Sequence, residues 1–262
     1  MRIVMYSNRG PVRDHNEDAL FAGGNIVAGC SMTAPLEVEA ETARGCFAVI
    51  DGMGGYEGGE LAARLVAVSF LEAADAWRIS AKAGEERIEA ILQDAVQRIA
   101  DAVAGNAGLS SMGAALAGLV FCGDGDGEEM LIFNCGDCRV YRCQTGYLEK
   151  LSHDHSVVQD LYDQGELDEE GMRTHPRKNI ITACVSANPA DLKVSFRELS
   201  RGQEKQRFFL CSDGVWEALS IDDLEACVAS HSASEAADML AQKLIALGEE
   251  CRDNVSFLIV ET

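Results

Sequence analysis

Positive charge is what this chain has least of. Its 262 residues hold 22 Lys and Arg against 43 Asp and Glu, a formal net charge of −21. Nucleic acids and anionic membranes are held by basic surfaces, so neither is expected as a partner. An anionic substrate stays open, because bound cations reverse the local field inside a cleft. No apolar run reaches membrane-spanning length, and the opening Met1-Arg2-Ile3-Val4-Met5-Tyr6 lacks an apolar leader core with a small-residue cleavage site. A soluble, cytoplasmic protein is expected. Neither a Walker loop nor a Gly-x-Gly-x-x-Gly turn occurs, so nothing supports nucleotide binding. Linkers, repeats and low-complexity tracts are missing too, and one domain over residues 1–262 is the expectation.

What is present begins with Cys46-Phe47-Ala48-Val49-Ile50-Asp51-Gly52-Met53-Gly54-Gly55. A strand-forming apolar run ends in an aspartate, and a glycine-rich turn follows. That places a carboxylate at the tip of a buried strand, beside backbone carbonyls able to approach an ion. The arrangement suits a hard cation, with Asp51 and the Gly52 carbonyl as neighbouring ligands. Asp-Gly is also ordinary turn chemistry, so this stretch alone decides little.

Along the chain, Ile3 to Tyr6 predicts a short strand, and a polar loop with Arg13, Glu17 and Asp18 follows it. Helical spacing predicts helices over Glu57 to about Trp77, with Leu61, Leu65, Val66, Val68, Ser69 and Leu71 inward, and over Glu85 to Ala104. Leu116–Cys122, Met130–Cys135 and Arg139–Cys143 read as three strands of an antiparallel meander, joined by the acid-glycine loop 123–129 and by a Gly136-Asp137-Cys138 hairpin. The 123–129 loop imitates a calcium loop but has Cys135 where a bidentate Glu is required. A short helix over Asp154–Gly165, a charged irregular insertion over Glu166–Asn179 and strands at Asp191–Leu199 and Phe208–Cys211 come next. Helices near Asp222–Ala229 and Ser234–Leu247, the latter capped by Ser234, precede a last strand from Val255.

Asp18, Asp51, Asp137, Asp213 and Asp253 thus all stand at strand edges. A carboxylate beside a buried strand is costly without a cation, and lysines and arginines are few nearby. Oxygen-only ligation favours Mg²⁺ or Mn²⁺ over zinc. Two such ions activate a water for in-line attack at phosphorus, and Arg13 is a natural clamp for phosphate. Metal-assisted hydrolysis of a phosphate ester is the chemistry this predicts. The ten cysteines read as reduced small hydrophobes. Cys135-Gly136-Asp137-Cys138 has no second Cys-x-x-Cys to make a zinc site, and oxidation at Cys138 displacing Asp137 is the redox alternative. His153-Asp154-His155 reads as loop structure rather than a zinc pair.

Arg13-x-x-Asn16-Glu17-Asp18, Asp51-Gly52-Met53-Gly54-Gly55, Met112-Gly113, Asn134-Cys135-Gly136-Asp137-x-Arg139-Val140-Tyr141, Asp154-His155-Ser156, Ser212-Asp213-Gly214 and Asp253-Asn254 follow one another along nearly the whole chain. In order and spacing the set resembles the metal-dependent serine/threonine protein phosphatases (PPM or type 2C), bacterial branch. The resemblance implies an α+β fold, an α-β-β-α sandwich of two antiparallel sheets with helices outside. It implies that Asp51 bridges two metals, Mn²⁺ or Mg²⁺, that the Gly52 carbonyl reaches the first, and that Asp213 and Asp253 hold the second. Glu17 and Asp18 would orient metal-bound waters, Arg13 would bind phosphate, and Asp137 with Asp213 would hold a third, weaker metal. Residues 157–189 would form a flap beside the site. The implied partners are phosphoserine- or phosphothreonine-bearing proteins and a cognate serine/threonine kinase, with a monomer expected. Met53, Ala114, Ala115 and Cys138 depart from the family pattern without removing an implied ligand. A catalytically silent phosphoprotein-binding module and a hydrolase of small phosphate esters are the competing readings.

Overall fold

The computed structural model describes residues 1–39, 45–55, 58–73, 81–122, 129–200, 205–229 and 231–262. Two antiparallel sheets lie face to face. The first runs β4 (Leu36–Glu39), β1 (Arg2–Asn8), β13 (Val255–Glu261), β12 (Arg207–Cys211), β8 (Arg139–Gln144), β9 (Tyr147–Lys150). The second runs β11 (Ser195–Ser200), β7 (Glu129–Cys135), β6 (Gly113–Cys122), β5 (Gly45–Met53), β2 (Asp18–Ala22), β3 (Asn25–Ala28), with β10 (Val185–Ser186) paired to β6.

Three apolar layers follow from side chains alternating across each strand. On β5, Cys46, Ala48 and Ile50 face α1 (Gly58–Glu72) and α2 (Ala81–Gly105), while Phe47 and Val49 face the other sheet. On β12, Phe208 and Leu210 enter the central layer, and Phe209 and Cys211 join the core under α6 (Ile221–Val228) and α7 (Ala233–Ala246). The order of layers is helix, sheet, sheet, helix. Both sheets are buried on both faces, which explains why β5, β6 and β13 read as near-continuous apolar runs.

Several sequence expectations shift. The three-strand meander does not form: β6 pairs β7, but β8 pairs β12 and β9 in the opposite sheet. Gly136-Asp137-Cys138 is therefore a crossover between sheets, not a hairpin. Cys135 packs on the helix side of its sheet and Cys138 between the sheets, so the Cys-x-x-Cys is split across a β layer. On α1, Val66 and Ser69 are buried and Leu61 and Leu65 pack against the core as expected, but Leu71 is exposed, and Ala62, Ala63, Ala67 and Phe70 complete the buried face. α7 is capped by Ser232, not Ser234: Ser232 and Glu235 form a reciprocal capping box, and the Ser234 hydroxyl bonds Glu37. The charged insertion contains a short helix, α4 (Glu169–Thr174), after α3 (Val157–Asp163). Most of the 123–129 acid-glycine loop, Glu57 and residues 74–77 of the predicted first helix lie outside the described residues.

Candidate active site

The alternation that builds the core also builds the site. Leu20 and Ala22 of β2 and Phe47 and Val49 of β5 point between the sheets, so Asp18 and Asp51, two residues further in the same phase, point there too. They are direct neighbours in the ladder, Asp18 opposite Asp51. From the other sheet, Asp213 opens α5 (Asp213–Trp216) just after β12, and Asp253 lies two residues before β13. The β7–β8 crossover carries Asp137 in from the side. Arg13, Glu17, Asp51, Gly52, Asp137, Asp213 and Asp253 line a cleft of about 610 Å³ together with Asn179 and Ile181. Asp18 lies beneath it, 1% exposed. All eight residues proposed from the sequence are thus gathered at one end of the sandwich.

Gly52 and Gly214 have no room for a side chain. A Cβ on Gly52 would stand 2.0 Å from the Gly59 carbonyl oxygen and 2.6 Å from that of Glu17. One on Gly214 would stand 2.0 Å from the Asn254 carbonyl oxygen. These strand ends pass too close for any side chain.

The electrostatics are those of acids lacking counter-charge. Burial pushes the Asp18 carboxyl up to about 8, with Asp213 and Asp253 adding to the push. Asp51 is driven well upward by burial and then by Asp213 and Asp18, and Asp137 by burial and then by Asp213. Asp213 is raised by burial and by Asp253. Asp51 and Asp213 open partly to the cleft, and water entering there tempers the effect. Lys178 eases Asp213, and Arg13 Nη2 donates to Asp253 Oδ2 at 2.6 Å. Ser212 Oγ donates to Asp18 Oδ2 at 3.0 Å, yet Asp18 Oδ1 is buried without a partner.

This donor set fits hard cations. It offers carboxylate oxygens, a backbone carbonyl held by a glycine with no room for a side chain, and one orphaned buried oxygen. Among the described residues no three His, Cys, Asp or Glu side chains already close into an ion-binding group. Small cations that keep several of their own waters need only such a flanking arrangement.

A scaffold that the sequence showed only as motif fragments holds these acids. Asn254 Oδ1 accepts from the Glu17 N–H at 2.8 Å, and its Nδ2 donates to the Arg9 and His15 carbonyls, both at 2.9 Å. That staples the loop carrying Arg13 and Glu17 to the end of β13. Arg139 donates from Nε to Asp154 Oδ2 at 2.8 Å, and its guanidinium lies 3.6 Å from the Trp216 ring centre. Trp216 Nε1 donates to the Asp137 carbonyl at 3.0 Å. The Gly136 N–H donates to His155 Nδ1, so His155 buttresses the crossover rather than binding metal. Ser212 beside Asp18 and Trp216 behind Asp137 extend the site beyond the acids, and of the two only Ser212 stands in a sequence motif. Of the departures, Ala115 sits opposite Asp51 in the ladder, where a Cβ added to Gly136 would meet its methyl at 2.4 Å. The small residue leaves the passage the crossover needs.

Comparison with known proteins agrees with this fold. Residues 36–247 match the family model described as protein phosphatase 2C. A serine/threonine phosphatase stp of Listeria monocytogenes is 30% identical over 267 residues, covering 100% of this chain and 96% of that protein. PstP of Mycobacterium tuberculosis, a serine/threonine protein phosphatase, is 26% identical over 263 residues; this chain spans 45% of its length. A crystal structure of the PstP catalytic domain in complex with two manganese ions shares the fold, with a TM-score of 0.76 at 24% identity over 99% of this chain and 98% of that one. Two sheets meeting at a carboxylate-lined cleft, and a family match over most of the length, have one meaning: this chain belongs to the protein phosphatase 2C family.

Proposed function

We propose that the protein is a metal-dependent phosphatase hydrolysing phosphoserine and phosphothreonine in proteins. The observation that carries this is the gathering of Asp18, Asp51, Asp137, Asp213 and Asp253 at one end of the sandwich, where burial and mutual repulsion push the first four carboxyls up. The names of the relatives and the manganese in the PstP structure support the same reading.

Asp51, the Gly52 carbonyl, Asp213 and Asp253 are the proposed ligands of two Mn²⁺ or Mg²⁺ ions, and Asp137 with Asp213 those of a third, weaker one. When bound, the ions supply an acidified water and neutralise charge developing on the phosphoryl oxygens. Asp18, opposite Asp51 in the ladder and beneath the cleft, has one unpartnered oxygen that would accept a hydrogen bond from such a water. Glu17, whose backbone is fixed by Asn254, does the same from the cleft side. Arg13, at the cleft, would orient the phosphate through its guanidinium fork. Met53 offers no proton, so the leaving alkoxide is protonated by solvent. The described residues share one stack of cores, which supports a single catalytic domain over 1–262 with the flap at 157–189. Opposition to a serine/threonine kinase, a monomeric state and a cytoplasmic location are part of the same proposal; no described helix is long and apolar enough to cross a membrane.

The test compares turnover of a phosphothreonine peptide with that of a nucleotide, in wild type and in Asp51→Ala and Asp213→Asn. Peptide turnover abolished in both variants is expected. Full activity in either refutes the site, and a preference for nucleotide redirects the reading to small phosphate esters.

A further inference from the structure

Charge is sorted along the flap. From 157 to 170 every charged residue is acidic: Asp160, Asp163, Glu166, Asp168, Glu169 and Glu170. From 171 to 181 every charged residue is basic, namely Arg173, Arg177 and Lys178, with His175 among them. In a chain carrying 43 acids and 22 bases, such a run is conspicuous. Its position matters more. Asn179 and Ile181, directly after it, line the cleft, and Ile181 is bridged to Ser156 while the Thr182 N–H donates to the His155 carbonyl at 2.8 Å. The basic turn is thereby fixed at the lip of the site.

Two of its cations are already committed. Lys178 pairs with Glu217, and Arg173 pairs with Glu170 at 3.2 Å and reaches the Glu217 carbonyl from Nε at 3.4 Å. Both grip the residue that follows α5. Arg177 is exposed and makes no ion pair among the described residues; its N–H donates to His175 Nδ1 at 3.1 Å, closing the turn. The Lys178 and Ile180 N–H groups donate to the His175 and Arg177 carbonyls, at 3.1 and 3.2 Å. These bonds close the turn, which carries an exposed guanidinium, unpaired among the described residues, two residues before Asn179 of the cleft wall. Arg13, Asp14 and His15 line the same cleft. A strongly acidic protein repels a phosphoprotein at long range, so a local positive edge is what seats it.

We propose that this basic lip, with Arg177 as its free cation, selects phosphoprotein segments in which acidic or further phosphorylated residues flank the scissile phosphate. The inference rests on the phosphatase reading of the same cleft. It makes Arg177 a specificity residue and leaves the hydrolytic step to the acids.

The test uses one phosphothreonine peptide in three versions, with acidic, alanine or basic flanks, each kcat/KM divided by that for flank-free p-nitrophenyl phosphate. Wild type is expected to favour acidic over basic flanks about two- to fivefold, the effect of one exposed ion pair. The ratio should shrink as salt rises, fall to one or below in Arg177→Glu, and survive in Arg177→Lys. A wild-type ratio of one, a preference for basic flanks, or a ratio unchanged in Arg177→Glu overturns the proposal. The same peptides carrying a non-hydrolysable phosphonate, followed by fluorescence anisotropy on the Mn²⁺-loaded protein, separate the two readings. Charge preference in binding without turnover refutes the hydrolase reading and keeps the lip. Turnover without charge preference does the reverse.

Discussion

Arg13 Nη2 and Asp253 Oδ2 lie 2.6 Å apart, joining the proposed phosphate clamp to a proposed metal ligand. On the proposed assignment, a metal at Asp253 would compete with this ion pair and leave Arg13 free for the phosphate. Arg13→Ala is expected to lower kcat/KM on a phosphopeptide roughly 10- to 100-fold, the range of a lost charge-assisted hydrogen bond. Mn²⁺ affinity by calorimetry should hold or tighten, since Asp253 loses a competitor. Unchanged kcat/KM would remove Arg13 from the phosphate site.

The metal-free protein should lose stability as pH rises. Asp18 has a folded-state pKa of about 8 against an ordinary 3.8, so between those values the folded chain binds more protons than the unfolded one. Stability from this group is fully present below about pH 4 and lost as pH climbs through 8. Asp51 and Asp137, shifted the same way, reinforce the trend. Melting in EDTA from pH 5 to 8.5 should show Tm falling, and Mn²⁺ should restore it most at the alkaline end. A Tm that rises with pH in EDTA would contradict the burial of these acids.

Gly52→Ala tests the close approach of strand ends. The added methyl meets two backbone carbonyl oxygens, neither of which yields like a side-chain tip. A loss of about 3 kcal/mol or more in chemical denaturation is expected. A loss below about 1 kcal/mol would mean the α1 start and the Glu17 loop give way easily.

Asp154→Ala should act at a distance. Asp154 is 1% exposed, and its removal leaves Arg139 buried over Trp216 without a counter-charge. Breaking a buried pair this way costs about 3–5 kcal/mol. Because Trp216 also holds the Asp137 carbonyl, Trp216 fluorescence should shift in the variant while the Asp51 side of the site stays intact. Unaltered stability and fluorescence would deny the network its role.

The site was more legible in the sequence than the path of the chain to it. A carboxylate ending an apolar strand marks itself at Asp51, and the same cue recurs at Asp213 and Asp253. The crossover at Asp137 does not, because Gly-Asp between two short strands is also how a hairpin reads, and only pairing partners far along the chain, β11 for β7 and β12 for β8, decide between them. α1 is legible in part for a related reason: Leu61, Leu65, Val66 and Ser69 face the core as the periodicity predicts, but Ala62, Ala63 and Ala67 at the centre of the buried face carry little hydrophobic signal of their own. Ser232 was passed over for Ser234 because both precede the same apolar run, and only the reach of Glu235 separates them. The redox idea for Cys138 loses its ground, since the thiol is buried and pushed well above its usual range, foremost by burial and then by Asp51 and Asp137.

The most direct test of the account is phosphate release from a phosphothreonine peptide, titrated with Mn²⁺ and with Mg²⁺ against an EDTA control. Turnover that appears with metal, saturates, and is abolished by EDTA is the predicted result. Folded protein that releases no phosphate with either ion would contradict the two-metal site and leave a module that binds phosphoproteins without hydrolysing them.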